Sequence, residues 1–445
     1  MNLYRLLAAR AEAGNPVRVG VIGAGKFGSM FLSQAYRTPG MQVMGVADLD
    51  VDRAKAALSN VHWPVEQYAA RSFEEARTTG GCHVTSDSMA MIAADGLDVV
   101  VDATGSPSAG IQHALAAFEH GRHMVMVNVE ADVLAGPLLA QKARAAGVVY
   151  SLAYGDQPAL IAEQVDWARA IGLEVVSAGK GTRYQPRFHQ STPATVWDHY
   201  GLSAAQAQLG NLNPQMFNSF LDGTKSGIEM AAVANACGLN PPMNGLAFPA
   251  VGFNQFAQKL IPQEDGGLLE GRGMVEVVAS EDRDGKPLID DLRWGVYVAF
   301  DGETEYVKEC FSQYGLLTDV SGRYAALWRP YHLIGLELGI SVASAALRGE
   351  PTGCSESFRG DVVATAKFAM KAGTELDGEG GYTVWGKLMP ATDSLAMGGL
   401  PIGLAHGMTL KRDIAEGELI SWNDVTFNAD DPTIAFRREM EMVFG

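Results

Sequence analysis

The sequence predicts an α/β fold: a doubly wound parallel sheet, then a mixed α/β domain, then a small β module. Three observations carry that expectation. Short apolar runs alternate with amphipathic helical stretches through the first third of the chain, the βαβ pattern of a parallel sheet. A glycine-rich turn, Gly23-Ala24-Gly25-Lys26-Phe27-Gly28, joins the first of those runs to the first long helix. From Thr392 onward the pattern shifts to short strands and turns. The 445 residues exceed what one core normally holds. The expected domains are 1–152, 153–391 and 392–445.

The first strand covers residues 17–22 and runs directly into the glycine turn. Gly23 allows the tight bend, Gly25 lets the backbone come close to a pyrophosphate, and Gly28 lets the helix pack closely on the sheet. The helix N-terminus adds free N–H groups and a positive dipole end. The second strand, 43–47, ends on Asp48, twenty residues past Gly28. Strand, helix and acid agree on a dinucleotide site, with Lys26 and Phe27 inside its turn. An acid in this place normally binds the ribose hydroxyls of NAD, while Lys26 and Arg53 are close enough in sequence to meet a 2′-phosphate. From the residues alone the balance leans to NAD.

The remaining elements of this domain follow in order. A helix over 51–59 precedes 60–81, read as an insertion after the second strand. Strands are expected at 82–85 and 97–101, the latter an unbroken apolar run that suits a buried parallel strand. Its end carries Thr104, Gly105 and Ser106, a second loop that should meet the cofactor. After a strand at 123–127, Asn128 and Glu130 stand in the next loop on the same side. A helix over 136–146 and a strand at 148–151 close the domain. Farther on, a helix is expected at 158–171 and a strand at 174–180. Residues 213–238 read as one long helix or two, 331–347 as an apolar packing helix. Further strands are expected at 274–279, 295–299 and 307–311.

Composition narrows the functional classes. An apolar fraction of 47% with 19% charged residues describes a soluble globular protein, and no apolar run is long enough for a membrane span. The N-terminal stretch reads as a short amphipathic helix and not as a secretory signal. Cys82, Cys237, Cys310 and Cys354 stand far apart, as expected of reduced thiols in the cytoplasm. A net charge of −17 argues against nucleic acid. It leaves room for an anionic substrate wherever cations cluster locally.

Two segments have the residues for chemistry. Lys180, Arg183, Arg187 and His189 lie within ten residues at the end of a strand, a density that suggests phosphate or carboxylate recognition. Asp222, Lys225 and Glu229 would share one face of a continuous helix, where a lysine between carboxylates can polarise a carbonyl or shuttle a proton. A third group, Arg329 and His332, stands at the expected entry to the apolar helix and could help bind an anion. A solvated loop, a surface ion-pair ladder and a structural cap are the plain alternatives for the three groups.

GAGKFG, DATGSP, VNVEADVLAGPLLA and FLDGTKSGIEMAAVANACGL together resemble the homoserine-dehydrogenase-like oxidoreductases, and within them the DXP reductoisomerase-like (DRL) enzymes. The segment GLPIGLAHGMTLKRDIAEGELISWNDV resembles a SAF module, which homoserine dehydrogenases lack. Homoserine dehydrogenases usually carry a lysine where this chain has Val127-Asn128-Val129-Glu130. The resemblance implies a Rossmann-type domain, a catalytic and dimerisation domain, and a homodimer. It implies conversion of 1-deoxy-D-xylulose 5-phosphate to 2-C-methyl-D-erythritol 4-phosphate with NADPH, NADH being the alternative. Mg or Mn would be the accompanying metal, with ligands left unassigned. In that reading Lys180, Arg183 and Arg187 form the phosphate clamp, and Asp222, Lys225 and Glu229 the proton and carbonyl machinery. The competing readings are a dehydrogenase of another sugar phosphate, sugar acid or homoserine-like substrate, and a regulator that binds NADPH without turnover.

Overall fold

Valine-rich and small-residue runs build the first sheet. Its strands are β1 (Val17–Ile22), β2 (Met41–Ala47), β3 (His83–Thr85), β4 (Val99–Asp102), β5 (His123–Met126) and β6 (Tyr150–Leu152). They pair in parallel in the order β3-β2-β1-β4-β5-β6, the doubly wound arrangement the sequence predicts. Every residue of β2 and β4 is buried, as a parallel sheet covered on both faces requires. The computed structural model describes residues 2–209 and 212–445. The chain divides into two compact units, Met1–Leu160 with His332–Glu356 and Ile161–Tyr331 with Ser357–Gly445.

The return of 332–356 to the first unit is a tertiary fact that local pattern does not reveal. The expected helix at 331–347 begins only at Gly339 and runs to Arg348. Gly335 adopts φ 76°, and a Cβ there would lie 2.6 Å from the Met30 side chain, so the chain turns before the helix starts. Leu338, Val342 and Ala343 join Val17, Val19 and Phe31 in one core. Ser355 Oγ, donating to Asp132 at 2.7 Å, anchors the end of the segment. Residues 60–81 hold a 3₁₀ turn, Val65–Tyr68, and a helix, Phe73–Thr79. Trp63 secures this stretch by donating to Leu32 O at 2.9 Å.

The second unit is built on a mixed sheet of β7 (Glu174–Thr182), β8 (Met274–Ala279), β9 (Val296–Asp301) and β10 (Tyr324–Arg329), ordered β10-β9-β7-β8. An antiparallel hairpin, β11 (Gly360–Ala366) with β12 (Val384–Pro390), and a short pair, β13 (Thr409–Leu410) with β14 (Val425–Thr426), complete its strands. The strand expected at 307–311 is instead part of a helix, Glu305–Gln313. Thr304 caps it by accepting from Val307 N, and Val307 and Phe311 stand at helical spacing with Phe311 buried. A terminal helix, Pro432–Phe444, is pinned through the fully buried Arg437, which donates to Asp361 at 2.7 Å and Glu441 at 2.8 Å. No helix among the described residues is long and apolar enough to cross a membrane.

Glu276, on β8, accepts from the N–H groups of Ala247, Phe248 and Val277 and so fixes the loop before β8. Burial raises its carboxyl from the ordinary 4.5 to about 7, against those three donors. The folded chain then keeps a proton that the unfolded chain has lost, so this contribution to stability is complete below about pH 4.5 and is lost as pH rises through 7. Denaturant titrations from pH 5 to pH 8 should show wild type losing up to ~3 kcal/mol more than Glu276→Gln over that range. Parallel profiles would remove Glu276 as the source.

Candidate active site

In the first unit the glycine turn has the geometry a pyrophosphate needs. Gly23 adopts φ 96°, and a Cβ on it would lie 2.7 Å from Ala103 O. A Cβ on Gly28 would lie 2.2 Å from Gly23 O, so helix and turn approach too closely for any other residue. A Cβ on Gly25 would meet nothing within 4 Å, which leaves open space at the start of helix α1 (Lys26–Ala35). That helix has no side-chain cap, so its first N–H groups are available to an anion. Lys26 is exposed beside the opening, whereas Phe27 packs against the core.

The acid at the end of β2 is already engaged. Asp48, 5% exposed, accepts from Ala24 N and Asp50 N at 2.9 Å each and from Arg53 Nη2 at 2.6 Å. Arg53 itself remains largely in solvent. At the end of β4, the buried Asp102 pairs with His113 Nδ1 at 2.6 Å and accepts from Thr104 Oγ1 at 2.8 Å. Asn128 donates to Ser106 O at 2.7 Å and caps the helix Val129–Ala145, whose first turn includes Glu130. Thr104, Gly105, Ser106 and Asn128 thus form one hydrogen-bonded loop system. These residues fit a dinucleotide: a capless helix start, an open glycine and a buried acid on the ribose side.

In the second unit the predicted residues separate into two groups. Gly223, at φ 93°, breaks residues 213–238 into two helices, Pro214–Leu221 and α2 (Thr224–Cys237). Asp222 ends the first helix, so the single face expected for Asp222, Lys225 and Glu229 does not exist. Glu229, 3% exposed, is bonded by Lys180 from β7, itself 5% exposed. Asp222 is bonded at 2.8 Å by Lys367, a residue the sequence reading missed, and Lys367 also donates to Ser191 O and Gly381 O. Burial pushes the Asp222 carboxyl up, opposed by Lys367 and Thr224. Only position in three dimensions links Lys367 to Asp222, and no local motif marks it. Lys225 stands part-exposed in the first turn of α2.

The basic segment also divides. Lys180 turns inward to Glu229, while the Arg183 and Arg187 guanidiniums both lie over the Phe188 ring, at 5.6 and 5.7 Å. Arg183 is bonded to Glu281 at 3.2 Å and to His199 O. Burial, with Arg187 and Arg183 adding to it, lowers the His199 pKa. Arg329 ends β10 over the Tyr331 ring, at 5.2 Å, and His332 opens the segment 332–356 of the first unit. Neither stands at the helix start, which lies at Gly339. As for metal, the one close acidic group among the described residues is Glu174, Asp301 and Glu303. Arg272 and Arg323 both bond Asp301 there, a poor arrangement for a cation. Asp222 and Glu229 are each held by a different lysine.

Fold and cradle together define an α/β protein with a dinucleotide-binding unit. Residues 19–152 match the homoserine dehydrogenase NAD binding domain, and residues 155–338 match the catalytic domain of oxidoreductase DRL. The first match falls on the unit with the glycine cradle and supports a nicotinamide cofactor there; each match spans less than half of the chain. No curated protein matches the chain. Among solved structures, biliverdin reductase from Synechocystis sp. PCC 6803 is similar at 19% identity and TM-score 0.25, over 38% of this chain and 48% of that one. A probable dehydrogenase from Thermotoga maritima is similar at 12% identity and TM-score 0.36, over 75% and 90%. A homoserine dehydrogenase from Thiobacillus denitrificans is similar at 19% identity and TM-score 0.36, over 51% and 50%. The chain spans about half the length of the first and third of these.

Gly28→Val tests the cradle. Its side chain would collide with Gly23 O, so NAD(P)H affinity should fall at least ~100-fold, the loss of about 3 kcal/mol expected when backbone donors are displaced from an anion. Fluorescence titration of the bound nicotinamide measures it. Retained affinity would move the cofactor elsewhere.

Proposed function

We propose that the protein is an NAD(P)H-dependent reductoisomerase that converts 1-deoxy-D-xylulose 5-phosphate to 2-C-methyl-D-erythritol 4-phosphate. The observation that supports this reading best is the segment from Lys180 to Arg187. It delivers a buried lysine to Glu229 and then carries two arginines to one aromatic ring. Arg187 is exposed and its neighbour Arg183 is part-exposed, a cationic pair suited to a substrate phosphate.

When bound, a nicotinamide supplies the hydride. The remaining work belongs to the chain's own side chains. Lys180 Nζ, held by the Glu229 carboxylate, is the group assigned to donate a proton to a carbonyl oxygen as it gains negative charge. Glu229 keeps the ammonium oriented. Lys225 is the second cation assigned to the carbonyl, and Asp222, through Lys367, fixes the end of the preceding helix. Gly25 and the start of α1 bind pyrophosphate, with Asp48 and Arg53 on the ribose side. The reading includes NADPH as the preferred cofactor, a SAF-like C-terminal module, a homodimer through the sheet β10-β9-β7-β8, and a cytoplasmic location.

A second reading is a dehydrogenase of another sugar phosphate or sugar acid. One specific observation favours it. Asp222 is neutralised by Lys367, so a single acid/base pair, Lys180 with Glu229, remains at hand. One pair suffices for a simple hydride transfer, whereas the isomerisation moves protons at two hydroxyls.

The deciding experiment mixes protein, NADPH, Mg or Mn and 1-deoxy-D-xylulose 5-phosphate and follows loss of the nicotinamide absorbance. Substrate-dependent oxidation that yields methylerythritol phosphate is expected; none, with NADPH still bound, would transfer the assignment to the second reading. Lys180→Met should lower kcat by about 10²–10⁴-fold with cofactor affinity unchanged. Equal kcat would remove Lys180 from the chemistry. Arg53→Ala should lower kcat/KM for NADPH roughly tenfold and leave NADH nearly unaffected, a comparison that reads the 2′-phosphate contact directly.

A further inference from the structure

A cavity of about 230 Å³ lies in the second unit, on the hairpin side of α2. His189, Phe248, Trp385 and Leu388 form its walls, with Gly223, Gly227, Gly245 and Gly386 leaving room between them. It is separate from the Lys180–Glu229 pair. Successive helical residues turn by about 100°, so Glu229 projects roughly opposite to Gly227, away from β12. The Thr224 hydroxyl, which accepts from Gly386 N at 2.9 Å, fixes the other side of the helix onto β12.

The lining has an unusual charge balance. The chain as a whole carries 51 acidic against 34 basic residues, yet the lining contains one charged side chain, Lys387, and no carboxylate. Lys387 is partly buried, and among the described residues no hydrogen bond or ion pair occupies its ammonium. His189 is committed elsewhere. Asp222 O can only accept, so His189 donates from Nδ1 at 2.7 Å; its Nε2 then accepts from the Tyr184 hydroxyl at 2.9 Å. Burial also lowers its pKa, so the ring is a neutral wall, stacked on Trp385 at 3.8 Å. Asn244, exposed among the lining residues, has an amide with no bond to any described residue. The space is thus apolar and aromatic, with one uncompensated cation and one free amide.

We propose that this cavity binds a small amphipathic anion, a carboxylate or phosphate ester on a compact carbon skeleton, with Lys387 as its counter-ion. A cation against apolar walls is costly to leave unpaired, and an anion entering with an apolar body satisfies both features of the lining. The volume lies below the roughly 300–1,000 Å³ of drug-sized ligand sites, so the ligand is smaller than a nucleotide. Glu276 ties this loop in place through Ala247 N and Phe248 N, so the wall exists before the ligand arrives.

Isothermal titration calorimetry on the full chain without cofactor, at low salt, tests the site with three probes: inorganic phosphate, glycerol 3-phosphate and benzoate. One of the two organic anions should bind saturably, and Lys387→Met should weaken it at least tenfold while Lys387→Arg retains it. The organic probe that binds more tightly identifies the head group as phosphate or carboxylate. Binding of inorganic phosphate alone means an adventitious ion only and overturns the proposal, as does equal binding by wild type and Lys387→Met, or no binding at all. Should Lys387→Met fail to fold, a crystal soaked in 4-bromobenzoate decides. Bromine density in the cavity, with the carboxylate on Lys387, supports the site, and density only elsewhere overturns it.

Discussion

The second unit depends on enclosing helix α2, and that enclosure depends on pairing Glu229. Twelve of the fourteen residues of α2 are buried, Glu229 among them. A carboxylate in such a place is tolerable only with a partner, and Lys180 reaches it from the middle of a four-stranded sheet. Losing either partner would leave an uncompensated buried charge, a cost of about 3–5 kcal/mol. The rest of the unit is assembled around the same helix. Asn235 holds the start of β11 by accepting from Arg359 N and Gly360 N and donating to Gly360 O. Thr224 holds β12. One helix therefore fixes the sheet on one side and the hairpin on the other.

The first unit solves a different problem with different means. Its site is made of absences: no Cβ at Gly23, Gly25 or Gly28, and no side-chain cap on α1. Its acids are held at the loop itself, Asp48 by Ala24 N, Asp50 N and the largely exposed Arg53, Asp102 by Thr104 and His113. Such loops lose little conformational freedom when a ligand arrives, because their donors are already oriented. The two units thus rest their stability on different interactions.

That difference decides what could be read from the sequence. The first unit was legible because its determinants are local. Apolar runs gave β1, β2 and β4, and the spacing of Gly23, Gly25, Gly28 and Asp48 gave the cradle. The second unit was legible as elements but not as a site. β8 appeared where its valines place it, while 307–311 was misread because a short apolar run fits strand and helix alike, and Thr304 decided for the helix. Asp222 and Glu229 looked like neighbours on one face because helical spacing assumes an unbroken helix; Gly223 breaks it. Lys367 reaches Asp222 across more than 140 residues of sequence, as Trp385 reaches His189, and no periodicity encodes such contacts.

The Lys180–Glu229 pair is hard to explain by stability alone. A buried ion pair replaced by well-packed apolar residues is often neutral or more stable, so packing by itself would be served as well by leucine and methionine. α2 already has the neighbours for that solution, with Ile228, Met230 and Val233 buried beside Glu229. Structural ion pairs elsewhere in the unit differ in kind. Arg437 fastens a terminal helix to β11, and Lys367 satisfies two carbonyls as well as Asp222. Among the described residues Glu229 is the one carboxylate paired with Lys180, which stands where β7 hands over to the segment with Arg183 and Arg187. An amine kept buried and oriented by a carboxylate, at the start of a stretch with two arginines, fits the proton-donor role proposed for Lys180. Under that proposal the cost of burying it is met by chemistry rather than by folding.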